Sequence, residues 1–204
     1  EIAMACQLNA VPDSWAVGDQ KTMTIDGADY TIDIIGKNHD DYADGSGKAP
    51  LTFQMHDCYF TKYSMNDTDS NSCKWTNCHI RSKHIPTILT LMPRNIQEFI
   101  KSVNKKTAIG YNNSSLEITV DKLFLLAETE VFGVKTYSHD GEGTQYDYYV
   151  NGYDKIKTLN GNINDWWLRS PAINSSSFCI VSNNGSKKFS AATTLNGVSF
   201  AFCF

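Results

Sequence analysis

Hard oxygen ligands are concentrated in one loop of this chain, Asn-His-Asp-Asp-Tyr-Ala-Asp-Gly-Ser-Gly-Lys at 38–48. Asp40, Asp41 and Asp44, together with Asn38, offer the carboxylate and amide oxygens that calcium takes, and Gly45 permits a sharp turn. The loop lacks the alternate-position acids and the distal glutamate of an EF-hand. Turn-forming and capping acids have the same composition. No cofactor is therefore expected, with calcium on Asp40, Asp41 and Asp44 as the alternative.

The other chemistry-bearing residues are dispersed. His39, His56, His79, His84 and His139 stand in separate polar contexts, several beside an aspartate, and none lies in a nucleophile motif. Cys6, Cys58, Cys73, Cys78, Cys179 and Cys203 form no Cys-x-x-Cys pair and no zinc-site spacing. Cys179 and Cys203 lie in the apolar runs "SFCIV" and "FAFCF" and read as small buried hydrophobes. Cys73 and Cys78 flank Trp75 in a polar stretch, where they can pair or stay free; free thiols are the expectation. No glycine-rich phosphate loop follows a strand, which excludes the common nucleotide sites. The expectation is a protein that is not an enzyme.

The elements that must carry these residues are short. With 204 residues and 41% hydrophobic content, the chain can build one sizeable core. A net charge of −4 with scattered Lys and Arg gives no electrostatic case for nucleic acid or an anionic membrane. No apolar run is long enough to span a bilayer. No secretory signal is visible, and a chain beginning at Glu1 reads as a mature or excised fragment. "EIAMACQL" predicts a short amphipathic helix with Ile2, Cys6 and Met4 inward, inside a helical lead-in over 1–14. Alternating residues on both sides of Asp26-Gly27 predict a hairpin. "LTFQMHDCYF" reads as strand or short helix, 64–83 as a long loop, and "YSHDGEGTQYDYYVNG" as loop. Pro93 followed by Ile96, Phe99, Ile100 and Val103 predicts the clearest helix. The run at 119–133 is strand-like or helical and closes at Gly133. From Trp166 onward, short strands alternate with Asn-Ser-Gly turns. The fold class expected is a single α+β domain over 1–204, with small antiparallel sheets, one or two helices and long loops.

Six blocks occur in order: "WAVGD", "IIGKNHDDYADGSGKAPLTF", "MNDTDSN", "DKLFLLAETEVFG", "GEGTQYDYY" and "WWLRSP". Together they resemble an uncharacterised family of bacterial and phage domains known for a WWLRSP signature and a GVRPAF-like C-terminal strand. That family is similar to the C-type-lectin-like fold of formylglycine-generating enzymes and of phage variable receptor-binding proteins. The present chain departs from it at the end, with Gly197, Val198, Ser199, Phe200, Ala201 and Phe202. The family's arginine and proline there are absent, so no role of theirs carries over.

The resemblance implies a C-type-lectin-like domain whose loops must be held by large rigid side chains. Trp166 and Trp167 are expected to bury their rings, one in the sheet core and one against the loop layer, with indole N–H groups on loop carbonyls. Arg169 is expected to clamp a carboxylate or stack on a ring, with Glu142 and Asp121 as candidate partners. A sugar-stacking role for the tryptophan pair is the alternative. Lectin-like folds often bind calcium, but their usual sugar-site motifs are missing. Formylglycine-generating enzymes use a cysteine pair near the C-terminus; Cys179 and Cys203 are the only counterparts, and their apolar neighbours argue for inert thiols.

The segment 172–199 is rich in Ser, Asn, Ala and Thr. It reads either as a polar hairpin or as a displayed contact surface, with adaptable polar groups around Phe178 and Phe189. Its residues, Lys187 and Lys188 apart, are reachable by adenine mutation of Asn-type codons, the change that diversity-generating retroelements make. The contact residues expected there are Asn174, Ser176, Phe178, Asn183, Lys187, Phe189 and Thr193, completed by Tyr59, Lys74, Asn77 and His79. The function implied is ligand display on a phage virion or bacterial cell surface, toward a protein or glycan, without nucleic acid or membrane insertion and compatible with a homo-oligomer. A structural virion domain and a formylglycine-generating-type oxidase are the alternatives.

Overall fold

The computed structural model describes residues 1–204. Asp26 and Gly27 take φ of 51° and 75°, the paired left-handed conformation of a two-residue type I′ turn. They join β1 (Gln20–Ile25) to β2 (Ala28–Lys37), as the Asp-Gly signal predicts. Met23, Ile25, Ile32 and Ile34 point into the core. β3 (Leu51–Met55) follows and is wholly buried.

The remaining strands are β4 (Val103–Gly110), β5 (Asn113–Asp121), β6 (Leu123–Phe124), β7 (Lys157–Leu159), β8 (Asn162–Asn164), β9 (Trp166–Pro171), β10 (Ser177–Val181), β11 (Lys187–Ala191) and β12 (Ala201–Cys203). The principal sheet has the order β1-β2-β3-β12-β6. The C-terminal strand β12 inserts between β3 and β6, antiparallel to both, so the last residues of the chain are core. A second sheet runs β11-β10-β9, and β4-β5 and β7-β8 are two-stranded ribbons. The architecture is mixed α+β, built mostly from small antiparallel sheets.

Helices are short: α1 (Ile2–Gln7), α2 (Lys74–Asn77), α3 (Ile85–Leu91), α4 (Arg94–Phe99), α5 (Glu128–Phe132) and α6 (Asp147–Val150), with a π-helical turn at Ile80–His84 leading into α3. None is long and apolar enough to cross a membrane. In α1, Cys6 is buried, but Met4 is exposed rather than inward.

The helix predicted from Pro93 to Val103 is cut short. Pro93 caps α4, which ends at Phe99, and Ile100 already has extended backbone. Val103 opens β4, paired with Asp121 across the β4–β5 ribbon. Apolar spacing at i, i+3, i+4, i+7 lost to sheet pairing, because Val103, Lys105 and Thr107 alternate inward on a strand. The segment read as loop at 137–152 holds α6, which hangs on two phenols. Tyr149 Oη donates to Gln54 and Tyr148 Oη to buried Asp33. Gly133 ends α5 at φ 75°, as predicted, and a Cβ there would meet Gln145.

Candidate functional site

All six residues of Trp-Trp-Leu-Arg-Ser-Pro form β9, and all six are buried. The two indoles are each pinned at the nitrogen. Trp166 Nε1 donates to Lys155 O at 2.9 Å and Trp167 Nε1 to Tyr63 O at 2.7 Å. Both rings therefore pack inward and both tie loops, rather than dividing those two tasks between them. With no ring face open to solvent, a sugar-stacking platform is ruled out for this pair.

Arg169 is fully buried and spends every donor. Its Nη2 reaches Glu130 Oε1 at 3.0 Å and its Nη1 bonds Glu130 Oε2, a two-pronged carboxylate clamp. Nε donates to Thr107 Oγ1 at 2.9 Å, Nη1 also to Leu125 O, and Nη2 also to Lys106 O and Glu142 O. The carboxylate partner is thus Glu130, and the expected pairing with the side chain of Glu142 or Asp121 is corrected. Glu142 contributes its backbone carbonyl instead. Its carboxyl accepts from Ala108 N at 3.0 Å and from the Ser170 hydroxyl. Asp121 is taken by Arg81 and Trp75. Glu130 also reaches back from α5 to the Ala127 N–H at 2.9 Å, so the clamp and the helix start share one side chain.

Beside this clamp lies a second buried cation. Lys105 Nζ is 2.6 Å from Asp40 Oδ1 and 2.7 Å from Glu130 Oε1, and sits 4.4 Å above the Phe124 ring. Asp40 further accepts from Thr52 Oγ1 at 2.6 Å and from Tyr146 Oη at 2.9 Å. His39 stacks on Tyr146 with centroids 3.9 Å apart. His39, Asp40 and Glu130 bring ligand atoms within 4.8 Å of one another. The cation standing between the two carboxylates is the Lys105 ammonium.

The acids of the 38–48 loop point in different directions. Asp40 turns inward to Lys105, exposed Asp41 pairs with Lys48, and exposed Asp44 accepts from Ser46 N in an Asx turn. Their oxygens are not brought together: Asp40 is buried, whereas Asp41 and Asp44 face solvent.

Electrostatics separates the buried acids. Burial pushes Asp40 up, but Lys105 and the Thr52 hydroxyl outweigh it and hold the carboxyl at about 2. Burial likewise raises Glu130, and Arg169 and Lys105 bring it below the usual range. For Glu142 burial wins over the Arg169 charge, and its carboxyl rises to about 7. All six cysteines are free. Burial drives Cys179 and Cys203 well above the ordinary thiol value, the opposite of what a nucleophilic pair requires.

The expected contact residues divide. Tyr59 is buried and stacks on Tyr30, and Phe178 is buried in β10. Both are corrections. The run Ser177–Val181 of β10 is buried throughout, so within the 172–199 segment solvent is reached at 173–176, 183–191 and 193–195. Lys74 is half-buried and engaged by Glu117 of β5. Half-buried His79 pairs with Asp67 at 2.6 Å, and Asn77 is exposed. Asn174 and Ser176 are half-buried, and Asn183, Phe189 and Thr193 are exposed. Lys187 folds back onto Val134 O at 2.9 Å, over the Phe132 ring.

The structure joins two of the predicted segments. Asn71 Nδ2 donates to the carbonyls of Ala172, Asn174 and Ser177, at 2.9, 2.6 and 3.0 Å. Asn71 N donates to Ser175 O, and Asn66 N to Ala192 O. Thr193 donates to Asp69 through both its N–H and its hydroxyl. On the same ribbon Ile173 is 47% exposed and bonds Tyr137 O, while Tyr137 meets Phe189, 42% exposed, edge-on at 5.2 Å.

Sequence reasoning missed Lys105, Glu130, Thr107 and Tyr146 in the core, and Asp69, Asn71 and Ile173 on the ribbon. Lys105 was legible from its phase with Val103 on a strand. Nothing local marks Asn71, whose partners lie about a hundred residues away. Two other exposed apolar features fall outside the expected set. One is a groove of about 650 Å3 between α1, β1 and α4. The other is the row Leu116, Ile118 and Val120 on β5.

These features define a compact α+β domain with a polar, charge-neutralised centre and a loop-braced outer ribbon. Residues 51–204 match the family described as a domain of unknown function (DUF6273), and the chain belongs to that family. No curated protein and no solved structure matches the chain.

Proposed function

We propose that this chain is a ligand-binding display domain of C-type-lectin-like architecture, carried on a phage virion or bacterial cell surface. Its ligand is a protein or glycan of a cell surface. The contact face is the 66–71 turn with 172–176, β11 and 193–195. The observation that carries this reading is the bracing of the ribbon: Asn71 holds three of its carbonyls and Asp69 holds Thr193. A surface fixed in this way loses little conformational entropy on binding. Ile173 and Phe189 supply apolar anchors among small polar side chains, the composition of an adaptable paratope. Asn174 and Ser176 are half-buried just before β10 and Asn183 is exposed just after it, so rewriting them by a diversity-generating retroelement leaves β10 intact, whereas Thr193 belongs to the bracing.

The test is a screen of the purified domain against glycan arrays and intact bacterial cells, repeated with Phe189→Ala and Asn174→Ala. Binding that falls at least tenfold in these variants at unchanged melting temperature supports the face. Binding that survives both variants overturns it. No ligand on any surface, with stable incorporation into particles, overturns display and supports a structural virion role.

A further inference from the structure

We propose that Lys105 and Asp40 condense to an intramolecular isopeptide bond that cross-links the β2–β3 loop to β4. The reacting groups are in contact, with Nζ 2.6 Å from Oδ1, and both side chains are almost completely shielded from water. They lie 65 residues apart in sequence, so the bond would close a long loop. This inference is independent of the binding face proposed above.

In water such a pair is inert. An ammonium is not a nucleophile, a carboxylate is a poor electrophile, and solvent favours hydrolysis. Here hydrolysis is disfavoured by burial, and contact geometry with a neighbouring proton acceptor serves the attack. Moving one proton from Nζ to the Asp40 carboxylate yields a neutral amine beside a neutral acid; the charged pair is the resting form, since each partner and Glu130 hold it ionised, and the reaction passes through this minor tautomer. The proton moves within the pair, so the tautomer's population does not depend on bulk pH while the pair is intact. The Phe124 ring beneath Nζ and the Tyr146 ring at 5.5 Å keep the site dry. Contact geometry replaces a bimolecular encounter.

The surrounding groups supply the remaining roles. The Nζ lone pair attacks Asp40 Cγ. The Tyr146 hydroxyl, 3.0 and 2.9 Å from the two carboxyl oxygens, and the Thr52 hydroxyl, 2.6 Å from Oδ2, stabilise the oxyanion. Glu130, 2.7 Å from Nζ, accepts the second amine proton and returns it to the departing oxygen. Arg169 keeps Glu130 in the anionic, proton-accepting form. One C–N bond forms, one C–O bond breaks and one water leaves. Nothing is oxidised or reduced, and no co-reactant is needed. One buried positive and one buried negative charge disappear, and the Arg169–Glu130 pair that remains is neutral by itself. The product thus removes two desolvated ions without leaving an unpaired one.

The experiment is mass spectrometry of the folded, purified protein after denaturation. The expected intact mass is below the sequence mass by one water. Asp-Gly sequences at 26–27, 44–45 and 140–141 also lose water as succinimides, so a tryptic map decides. The expected map shows peptide 38–48 joined to 102–106, with cleavage after Lys105 blocked. Glu130→Gln is expected to abolish the link while Lys105 and Asp40 remain. Should that variant fail to fold, the wild-type map is sufficient alone. Full recovery of free peptide 38–48 and complete cleavage after Lys105, after prolonged incubation of the folded protein, overturns the proposal. A link that persists in Glu130→Gln overturns the proton-relay role.

Discussion

Replacing Arg169 by methionine tests the centre of the molecule most directly. The change keeps an apolar stem of similar length and removes the guanidinium. Glu130 then stays buried without its two-pronged partner, and removing one member of a buried pair costs about 3–5 kcal/mol. The carbonyls of Leu125, Lys106 and Glu142 lose a donor as well, and a buried orphaned acceptor costs about 1–3 kcal/mol. Lys105 remains beside Glu130 and offsets part of this loss. A net destabilisation of about 5 kcal/mol is expected, equal to the whole stability of a marginal domain. At about 2–4 °C per kcal/mol, the melting temperature falls by about 10–20 °C. The assay is urea denaturation followed by tryptophan fluorescence, since Trp166 and Trp167 sit on the same strand. Arg169→Lys should fall between wild type and Arg169→Met, keeping the charge without the planar fork. The double variant Arg169→Met, Glu130→Met should be more stable than Arg169→Met alone, because no acid is then stranded. Were Arg169→Met to lose less than about 1 kcal/mol, the clamp would be incidental and the reasoning refuted.

Other outcomes follow from the same geometry. Glu142 is raised from 4.5 to about 7, so its contribution is fully present below pH 4.5 and is lost as pH rises through 7. Wild type should therefore lose about 3 kcal/mol relative to Glu142→Gln between those limits, and parallel pH–stability curves for the two proteins would contradict this. Trp167→Phe removes the donor to Tyr63 O and should cost about 1–3 kcal/mol in urea titrations; a neutral effect would show that the indole N–H does not hold that loop. Phe189→Ala, at an exposed position, should change stability by no more than about 0.5 kcal/mol, which calorimetry can check. Cys179 and Cys203 should resist alkylation until the protein unfolds while half-buried Cys73 reacts first, and rapid labelling of the native pair would revive an oxidase-type reading.

Several features were legible before any fold was known. The Asp26-Gly27 turn, the α5 stop at Gly133, the burial of Cys179 and Cys203 and that of both tryptophans follow from turn chemistry, apolar neighbours and ring size. Each is a local property, and local geometry realises it. The helix through Val103 was misread because apolar spacing over ten residues fits a short helix and a helix-to-strand transition equally well. Pairing of β4 with β5 decided between them. The partner of Arg169 was misassigned because Glu130, Glu142 and Asp121 are chemically equivalent in a string of letters.

The amino-acid order by itself determined the turns, the short alternating strands, the absence of a common nucleotide motif and the need to bury a Trp-Trp-Leu-Arg block. Only the tertiary structure decided what answers that buried arginine. It set Lys105 between Asp40 and Glu130, turned Asp41 and Asp44 outward, and sank Tyr59 and Phe178 while leaving Phe189 exposed. The reason is physical. Turns and strands are specified by neighbours a few residues apart, whereas pairing of buried charges depends on distances of a few ångströms between residues tens of positions apart.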